Sequence, residues 1–336
     1  MSLYNVPALP HLFRINRKTS ILPPSSSSFD AQFGGVLPPA QTLTTYHGTT
    51  TYYIIKPSHP SPSSSPPRHV VLVHGVGTPA IGLLPLATLL AASSTPTTVL
   101  IYDIWGHGLS STPAETHTPG LFHIQLLGLL SHLQWTGVHL IGYSFGGIIA
   151  ASFIQFHSSA VESLVLIAPA GLLRRVNQSA WTRFIDFGGW GWGWESLSAK
   201  RIYDFLGPGP VEESWQENFK EKGLAAIPRN AVQIWEKENH EGHVASLVSM
   251  YRYGGIYDMH ETYRSLVERG MDTKTLVLLG ETDGFFEKEY MIAELKQLGW
   301  MGEVRVVEGV GHNVAGEKTK ETREFVEAFW KALAGK

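Results

Sequence analysis

A serine in a glycine-framed turn is the residue whose setting in this sequence best suits covalent chemistry. The run Gly142–Gly146 reads GYSFG with Ser144 at its centre; it follows the apolar segment Val138–Ile141 and precedes a helix-like stretch. A Gly-x-Ser-x-Gly turn between a strand and a helix places the serine on a sharp, strained bend where the flanking residues have no room for a Cβ atom. We therefore expect Gly142 and Gly146 to shape the turn and Ser144 to act as a nucleophile.

A serine hydroxyl needs a base, and His312 is the histidine placed to supply one. It is the last histidine of the chain and lies in the glycine-rich loop Gly309–His312, directly after the apolar segment Val304–Val307. A nucleophile on a strand-turn-helix bend is followed in the chain by an acid and then by a histidine in the loop after the last strand. We expect His312 to take the proton of Ser144. The alternative is a surface histidine in a glycine-rich turn.

The acid that orients this histidine is expected in the loop after the preceding apolar segment, Thr275–Leu279. That loop reads GETDG and offers two carboxylates, Glu281 and Asp283. Asp283 stands farther beyond the end of the strand, whereas Glu281 is closer to the strand and less able to reach across. We favour Asp283 as the partner of His312, with Glu281 as the competitor.

Acyl transfer also needs two backbone amides for the oxyanion that forms on the substrate carbonyl. One is expected from Phe145, the residue after the nucleophile, where a helix begins and directs its partial positive charge to the same point. The other is expected from the loop His74–Gly77. There we favour Val76 and leave Gly77 open, because sequence does not fix the register of the turn. We interpret His74 as a residue that braces the loop by hydrogen bonding.

Alternating apolar and helix-like segments position these residues. Continuous apolar runs that end in glycine-rich turns are typical of buried parallel strands, and their alternation with helices indicates a doubly wound, mostly parallel α/β sheet. Thr42–Tyr46 and Thr50–Lys56 are expected to form an antiparallel hairpin before that sheet. The predicted parallel strands are Val70–Val73, Thr98–Ile101, Val138–Ile141, Leu164–Ile167, Thr275–Leu279 and Val304–Val307.

The same alternation divides the chain into an arm, a core and an insertion. Residues 1–40 are rich in Pro and Ser and show no periodicity, so we expect an irregular N-terminal arm. Residues 41–171 and 272–336 carry the predicted α/β alternation and form the core. Residues 172–271 interrupt it and are predicted to form an inserted, mainly helical lid domain.

Tryptophan is concentrated in the predicted lid domain. Trp181, Trp190 and Trp235 are candidates for an apolar substrate pocket over the nucleophile. The alternative is that these side chains only form the core of the insertion, since a small helical unit needs large side chains to bury any apolar interior.

Composition argues against several classes of function. The 336 residues include 43% hydrophobic and 16% charged residues and carry a formal net charge of -3, so nucleic acid is not an expected partner. The chain has no cysteine, which excludes disulfides and thiolate chemistry. No apolar run is long enough for a transmembrane segment. We expect a soluble, cytoplasmic protein of undetermined oligomeric state; Arg14, Arg17 and Lys18 leave N-terminal targeting open.

Together the motifs resemble those of the α/β-hydrolase superfamily, in the required order. The resemblance implies a serine esterase- or lipase-like enzyme with no metal or cofactor, in which Asp103 and Gly106–Gly108 are structural loop elements. Dehalogenases and epoxide hydrolases of this architecture use an aspartate at the position of Ser144, which argues against both. The motifs are HGVG at 74–77, YDIWGHGLSS at 102–111, GYSFGG at 142–147, LIAPAG at 166–171, GETD at 280–283 and VGHN at 310–313.

The resemblance further implies a reaction class. A small apolar carboxylic ester, thioester or lactone would be cleaved through an acyl-enzyme formed on Ser144. Three alternatives stay open: a carbon–carbon bond hydrolase, an acyltransferase using the same residues, and a receptor-like protein that binds a small ligand with vestigial turnover.

Overall fold

The computed structural model describes the chain in five stretches, and for residues 192–195 it describes only the backbone. The stretches are 19–59, 67–184, 186, 192–206 and 229–335. Their strands are β1 (Ser20–Ile21), β2 (Gln41–Thr45), β3 (Gly48–Ile55), β4 (Arg68–Val73), β5 (Thr97–Tyr102), β6 (Thr112–Pro113), β7 (Val138–Tyr143), β8 (Val161–Ile167), β9 (Thr275–Gly280) and β10 (Glu303–Val307).

Eight of these strands form one sheet, in the order β10-β9-β8-β7-β4-β5-β3-β2. From β10 to β5 the neighbours are parallel, and β3 and β2 extend the sheet as an antiparallel hairpin. Because β7 lies in the middle, the residues that follow β7, β9 and β10 in the chain emerge at the same edge of the sheet, where parallel strands have their carboxyl ends.

Helices cover both faces of the sheet. Val71 of β4 packs in the core that holds the helices Pro119–Leu133 and Phe145–His157. Its neighbour Val70 packs in the core that holds the helices Leu84–Ala91 and Thr319–Ala334. Two covered faces explain why the strands read as unbroken apolar runs. The described helices are α1 (Ser26–Phe33), α2 (Leu84–Ala91), α3 (Pro119–Leu133), α4 (Phe145–His157), α5 (Ala180–Arg183), α6 (Trp192–Leu206), α7 (Arg229–Asn239), α8 (His243–Tyr253), α9 (His260–Glu268), α10 (Lys288–Gln297), α11 (Val314–Glu317) and α12 (Thr319–Ala334).

The doubly wound α/β fold class predicted from sequence is confirmed. Each predicted parallel strand is present with ends that differ by a few residues, and the predicted hairpin is the antiparallel pair of β2 and β3. Between β8 and β9 the alternation stops, and the described residues there form α5 to α9. None of the helices in the described stretches is both long and apolar enough to cross a membrane.

The prediction of an irregular arm over residues 1–40 is wrong for its second half. Residues 1–18 lie outside the described stretches, but the residues that follow form β1 and α1. Ser25 caps α1 through its side chain, and Gly34 ends the helix in a left-handed conformation. Phe29 and Phe33, four residues apart, are buried on one face of this helix. A serine-rich sequence with only two large apolar residues gives too weak a periodicity to reveal such a helix.

Candidate active site

Ser144 occupies the bend between β7 and α4 in a conformation that non-glycine residues seldom adopt. Its φ is 54° and its ψ is -116°. Its backbone N–H donates to the carbonyl of Ile167 at 2.9 Å, and its own carbonyl accepts from Gly147 at 2.9 Å and from Ala170 at 3.0 Å. These bonds to the end of β8 and to the first turn of α4 hold the strained residue in place.

The two glycines that frame the bend have no space for a side chain. A Cβ atom on Gly142 would collide with the carbonyl of Gly146, and a Cβ atom on Gly146 would collide with the carbonyl of Val73. Backbone atoms of a packed sheet cannot rotate away as a side chain can. Each position therefore accepts only glycine unless the sheet and helix move apart.

The structure brings Ser144, His312 and Asp283 together in one chain of hydrogen bonds. Nε2 of His312 lies 2.9 Å from Oγ of Ser144, and Nδ1 of His312 lies 2.8 Å from Oδ2 of Asp283. An ionised carboxylate only accepts, so Nδ1 carries the proton and, in the neutral ring, Nε2 accepts from the serine hydroxyl. The geometry thus leaves a neutral His312 able to receive the proton of Ser144.

Residues of the loop after β9 hold the carboxylate of Asp283 in place. Its second oxygen, Oδ1, accepts hydrogen bonds from the backbone N–H groups of Phe285 at 2.8 Å and Phe286 at 3.1 Å. The rings of the same two phenylalanines and of Tyr143 lie around the imidazole of His312 with centroids 5.2 to 5.4 Å away. The side chain of Asp283 is only 1% exposed, so the carboxylate is shielded from solvent and few rotamers are accessible to it.

Glu281, the competing acid, is placed elsewhere. Its side chain is exposed, and its Oε2 accepts the backbone N–H of Gly309 at 2.9 Å. That contact joins the loop after β9 to the loop after β10, which carries His312. The structure therefore brings Asp283 to His312 and gives Glu281 a place in the support of the loop.

The loop after β4 places Val76 at the cavity and uses the amide of Gly77 internally. The N–H of Gly77 donates to Nε2 of His107 at 2.9 Å. Val76 instead lines the cavity in front of the serine, together with Ser144 and Phe145. Of the two residues considered for the second oxyanion amide, this geometry favours Val76.

His74 is a fully buried support of the same loop. Its Nδ1 donates to the carbonyl of Gly75 at 2.8 Å, and its Nε2 accepts from the N–H of Ile104 at 2.9 Å. Burial lowers the pKa of His74 to about 4, so the ring stays neutral and can play both roles. The interpretation of His74 as a bracing residue is consistent with these contacts.

A buried polar network behind this loop could not be inferred from sequence. Oε1 of Glu236 on α7 accepts the N–H of Gly108 at 2.8 Å, and Nδ1 of His243 on α8 donates to the carbonyl of Gly106 at 2.9 Å. Burial raises the pKa of Glu236 well above its usual value and lowers the pKa of His107 well below its own. The ring of His107 lies against that of His243, with centroids 4.9 Å apart. The segment between β8 and β9 thereby supports the loop that follows β5.

A cavity of about 320 Å³ opens in front of Ser144 and His312, and most of its wall is apolar. Seven lining residues come from the segment between β8 and β9, and the phenylalanines after Asp283 form another part of the wall. The lining residues are Val76, Ser144, Phe145, Ala170, Leu173, Phe205, Leu206, Arg229, Ile256, Tyr257, Gly284, Phe285, Phe286 and His312.

Two of the three tryptophans proposed for the pocket, Trp181 and Trp235, do not line this cavity. Trp181 is 62% exposed, and its ring stacks on that of Phe184. Trp235 is 1% exposed and packs against Phe29 and Phe33 of α1, so it belongs to a separate small core. Trp190 lies outside the described residues.

Among the described residues, phenylalanine side chains line the cavity that sequence analysis expected tryptophans to line. Phe285 and Phe286 follow directly on Asp283, and this adjacency was the available signal, since residues beside a catalytic candidate in a loop share its surroundings. Phe205 and Arg229 carried no comparable signal. In the described part of the chain, no group of His, Asp and Glu side chains has an arrangement that could hold a metal ion.

This fold, with a serine at the bend after the central strand and with His312 and Asp283 hydrogen-bonded behind it, has the architecture of an α/β hydrolase. The chain belongs to the alpha/beta hydrolase family, whose model matches residues 70–328. The match includes most of β4, all strands from β5 to β10 and all three of these side chains.

Curated relatives match only part of the chain. A stretch of 142 residues, 42% of the chain, is 28% identical to an uncharacterised protein of Mycobacterium tuberculosis and covers 38% of it. A stretch of 108 residues, 32% of the chain, is 34% identical to the dihydrolipoyllysine-residue acetyltransferase component of the acetoin cleaving system of Pseudomonas putida and covers 28% of it. The chain thus spans less than half the length of these relatives.

Solved structures match over most of the chain. A thermophilic esterase from Thermogutta terrifontis superposes with a TM-score of 0.62 at 19% identity, covering 88% of this chain and 98% of that one. An enol-lactonase from Burkholderia xenovorans gives 0.61 at 18% identity, covering 87% and 100%. A meta-cleavage product hydrolase from Pseudomonas fluorescens gives 0.59 at 16% identity, covering 87% and 98%. At such identities the likeness establishes the shared fold, and hydrolases of several bond types have it.

Proposed function

We propose that the protein is a serine hydrolase that cleaves a carboxylic ester, thioester or lactone of a small apolar substrate through an acyl-enzyme. The observation that carries the proposal is the chain of hydrogen bonds from Ser144 through His312 to Asp283 at the wall of an apolar cavity. This is the arrangement that turns a weakly acidic hydroxyl into a nucleophile, because the base is within reach and its orientation is fixed.

In the proposed reaction, Oγ of Ser144 attacks the substrate carbonyl while Nε2 of His312 takes the hydroxyl proton. Asp283 stabilises the imidazolium that forms and remains ionised. The amides of Val76 and Phe145 donate to the oxyanion of the tetrahedral intermediate. His312 then protonates the leaving alcohol, and a water molecule activated by the same histidine releases the acid and restores Ser144.

Residues 172–271 are proposed to act as a lid on this site. Leu173, Phe205, Ile256 and Tyr257 belong to the segment and contribute apolar surface to the cavity wall. An apolar wall excludes water from the reacting carbonyl and strengthens the electrostatic effect of the two amides. A cavity of about 320 Å³ favours short or medium acyl chains over long ones.

Labelling with a fluorophosphonate probe, combined with ester hydrolysis, tests the proposal. Wild-type protein should be labelled and should hydrolyse 4-nitrophenyl esters, with the highest kcat/KM on the shorter chains. Ser144→Ala should lose the label and reduce turnover to background. Ser131→Ala, which removes an exposed serine hydroxyl on α3, is the matched control and should behave like wild type.

The alternatives give other outcomes in the same experiments. Folded wild-type protein that binds small apolar ligands but takes no label and hydrolyses no ester would be a receptor-like protein, and the proposal would be wrong. Labelled protein that transfers the acyl group to an added alcohol faster than to water would be an acyltransferase. Labelled protein that cleaves no ester, thioester or lactone would point to carbon–carbon bond hydrolysis.

A further inference from the structure

One guanidinium, that of Arg229, faces the otherwise apolar cavity in front of Ser144. Arg229 is the first residue of α7 and the one cationic residue among the described residues that line this cavity, apart from the imidazole of His312. Its Nη2 donates to the carbonyl of Val76 at the long distance of 3.4 Å, and its buried Nε has no hydrogen-bond partner among the described residues. The described residues therefore leave a charged donor group largely unsatisfied at the wall of the site.

Neighbouring arginines are satisfied by carboxylates. A second cavity shares Leu173, Phe205 and Tyr257 with the first, and it contains Arg174 and Arg201. Arg174 pairs with Glu294 at 2.8 Å. Arg201 pairs with the fully buried Asp186 through its Nε and Nη2 atoms. The fold thus supplies carboxylate partners to these two cations and keeps them from acting on a ligand.

Arg229 has no such partner among the residues on either side of the undescribed stretch 207–228. Within the part of the chain that the structure describes, no carboxylate lies within ion-pair distance of it. Glu317 lines a neighbouring cavity that Arg229 also borders. A guanidinium offers five N–H donors in a planar fork that matches a carboxylate. An incompletely hydrogen-bonded guanidinium beside apolar walls costs free energy unless a ligand provides a matching acceptor.

The position of Arg229 relates it to the proposed oxyanion site. Its hydrogen bond to the carbonyl of Val76 places the guanidinium beside the loop whose Val76 amide is proposed to hold the oxyanion. We propose that the pocket takes substrates whose acyl part carries a free carboxylate, as in the monoester of a small dicarboxylic acid, and that Arg229 binds this carboxylate. The inference rests on the proposed function, because it names the substrate class of the same site.

A pair of substrates matched in shape tests Arg229. Monoethyl succinate has a carboxylate where ethyl 4-methylpentanoate has an isopropyl group, so the ratio of their kcat/KM values isolates the effect of the charge. Both values are measured by ethanol release on the same preparation, which cancels any loss of folded protein. Wild type should prefer the anionic ester, and Arg229→Met should lower the ratio at least tenfold. Arg229→Lys, which keeps the charge but loses the fork, should recover part of the ratio.

Lys237→Met is the matched control. It removes the same charge from an exposed position on the same helix, so it reports any effect of net charge alone and should leave the ratio as in wild type. The inference is overturned if wild type prefers the neutral ester, if Arg229→Met keeps the wild-type ratio, or if Lys237→Met lowers the ratio as much as Arg229→Met does.

Binding separates this inference from the proposed function. If neither ester is cleaved and Ser144 takes no fluorophosphonate label, the proposed function fails, but anion recognition is still measurable. In Ser144→Ala protein, calorimetry should give a dissociation constant for monoethyl succinate at least tenfold lower than in Ser144→Ala/Arg229→Met protein. Equal dissociation constants for the two proteins would overturn the role of Arg229 whatever the activity.

Discussion

His107 and Gly77, 30 residues apart in the chain, are joined by a hydrogen bond of 2.9 Å from the glycine N–H to Nε2 of the histidine. The bond requires a neutral ring, and burial keeps the pKa of His107 well below its usual value. It ties the loop after β4 to the loop after β5 at the residue next to Val76. The position of the Val76 amide, and with it the proposed oxyanion site, therefore depends on a side chain that does not touch the substrate.

Replacing His107 should separate its role as an acceptor from its bulk. His107→Leu leaves the Gly77 N–H buried without a partner, which should cost about 1–3 kcal/mol of unfolding free energy. It should also lower kcat for ester hydrolysis. Loss of an oxyanion donor costs about a hundredfold to a thousandfold in kcat, and the effect should not exceed this. His107→Gln, whose amide oxygen can accept in place of Nε2, should recover most of kcat.

The measurements are urea unfolding and the separate determination of kcat and KM on one ester. A purely structural role predicts that both variants lose stability while the kcat of the folded fraction stays at the wild-type value. A drop of kcat in His107→Leu that His107→Gln does not recover would contradict the role of the acceptor.

Asp283 and Glu281 form a natural pair of test and control, since both are carboxylates in one short loop. Asp283→Asn removes the charge that stabilises the imidazolium and allows the wrong tautomer of His312, so kcat should fall by about three to four orders of magnitude. Glu281→Gln affects an exposed side chain that accepts the N–H of Gly309, and kcat should stay within a few-fold of wild type. Comparable losses in steady-state ester hydrolysis by both variants would refute the assignment of the acid.

The parts of the site that could be predicted from sequence are those encoded locally. The bend at Ser144 follows from glycines on both sides of one residue, and the places of Asp283 and His312 follow from strand ends. Because the carboxyl ends of parallel strands meet at one edge, the order of strands in the chain was enough to bring the three side chains together.

The parts that could not be predicted depend on packing between segments distant in the chain. Glu236 contacts Gly108 across 128 residues, and no spacing or motif encodes that approach. Trp235 packs on α1 rather than on the substrate cavity because residues near the N-terminus, which sequence analysis judged irregular, form a helix with two buried phenylalanines. Apolar side chains reveal that a residue is buried, but not which partner buries it.

The different placements of Trp235 and Trp181 give a further prediction. Trp235→Ala removes a buried indole from the core shared with α1 and should lower the unfolding free energy by about 3–5 kcal/mol. Trp181→Ala removes a mostly exposed side chain and should change it by no more than about 0.5 kcal/mol. Urea unfolding of both variants measures the difference. Equal effects would mean that α1 does not pack on Trp235 in solution.

Buried histidines should make the protein less stable in mild acid. Burial lowers the pKa of His74, His117 and His240 to about 4 and that of His243 to about 3. The unfolded chain takes up protons on these groups below its own pKa of about 6.5, while the folded chain resists protonation until pH 4 or below. Unfolding thus binds protons in this window, so the stability present above pH 6.5 is lost as the pH falls toward 4.

Two carboxyl groups act in the opposite direction over part of this window. Burial raises the pKa of Asp103 to about 6 and that of Glu236 well above its usual value, so both favour the folded state at lower pH. They are fewer than the histidines with lowered pKa values in the described stretches, and the net effect remains a loss of stability. The unfolding free energy from urea titration should accordingly be smaller at pH 5 than at pH 7.

His117→Phe isolates the contribution of one ring to this acid sensitivity. His117 is buried beside Phe122, and no hydrogen bond of ordinary geometry joins either ring nitrogen to the described residues, so an apolar ring of similar size removes a titrating group at little cost in hydrogen bonding. Between pH 6.5 and 4 the variant should depend less on pH than wild type, by about 1.4 kcal/mol per pH unit at most. At pH 7, where the histidine is already neutral in both states, phenylalanine should preserve or increase stability. A variant with the wild-type slope would mean that His117 titrates in the folded protein as it does in the unfolded chain, and the burial seen for this ring would not persist in solution.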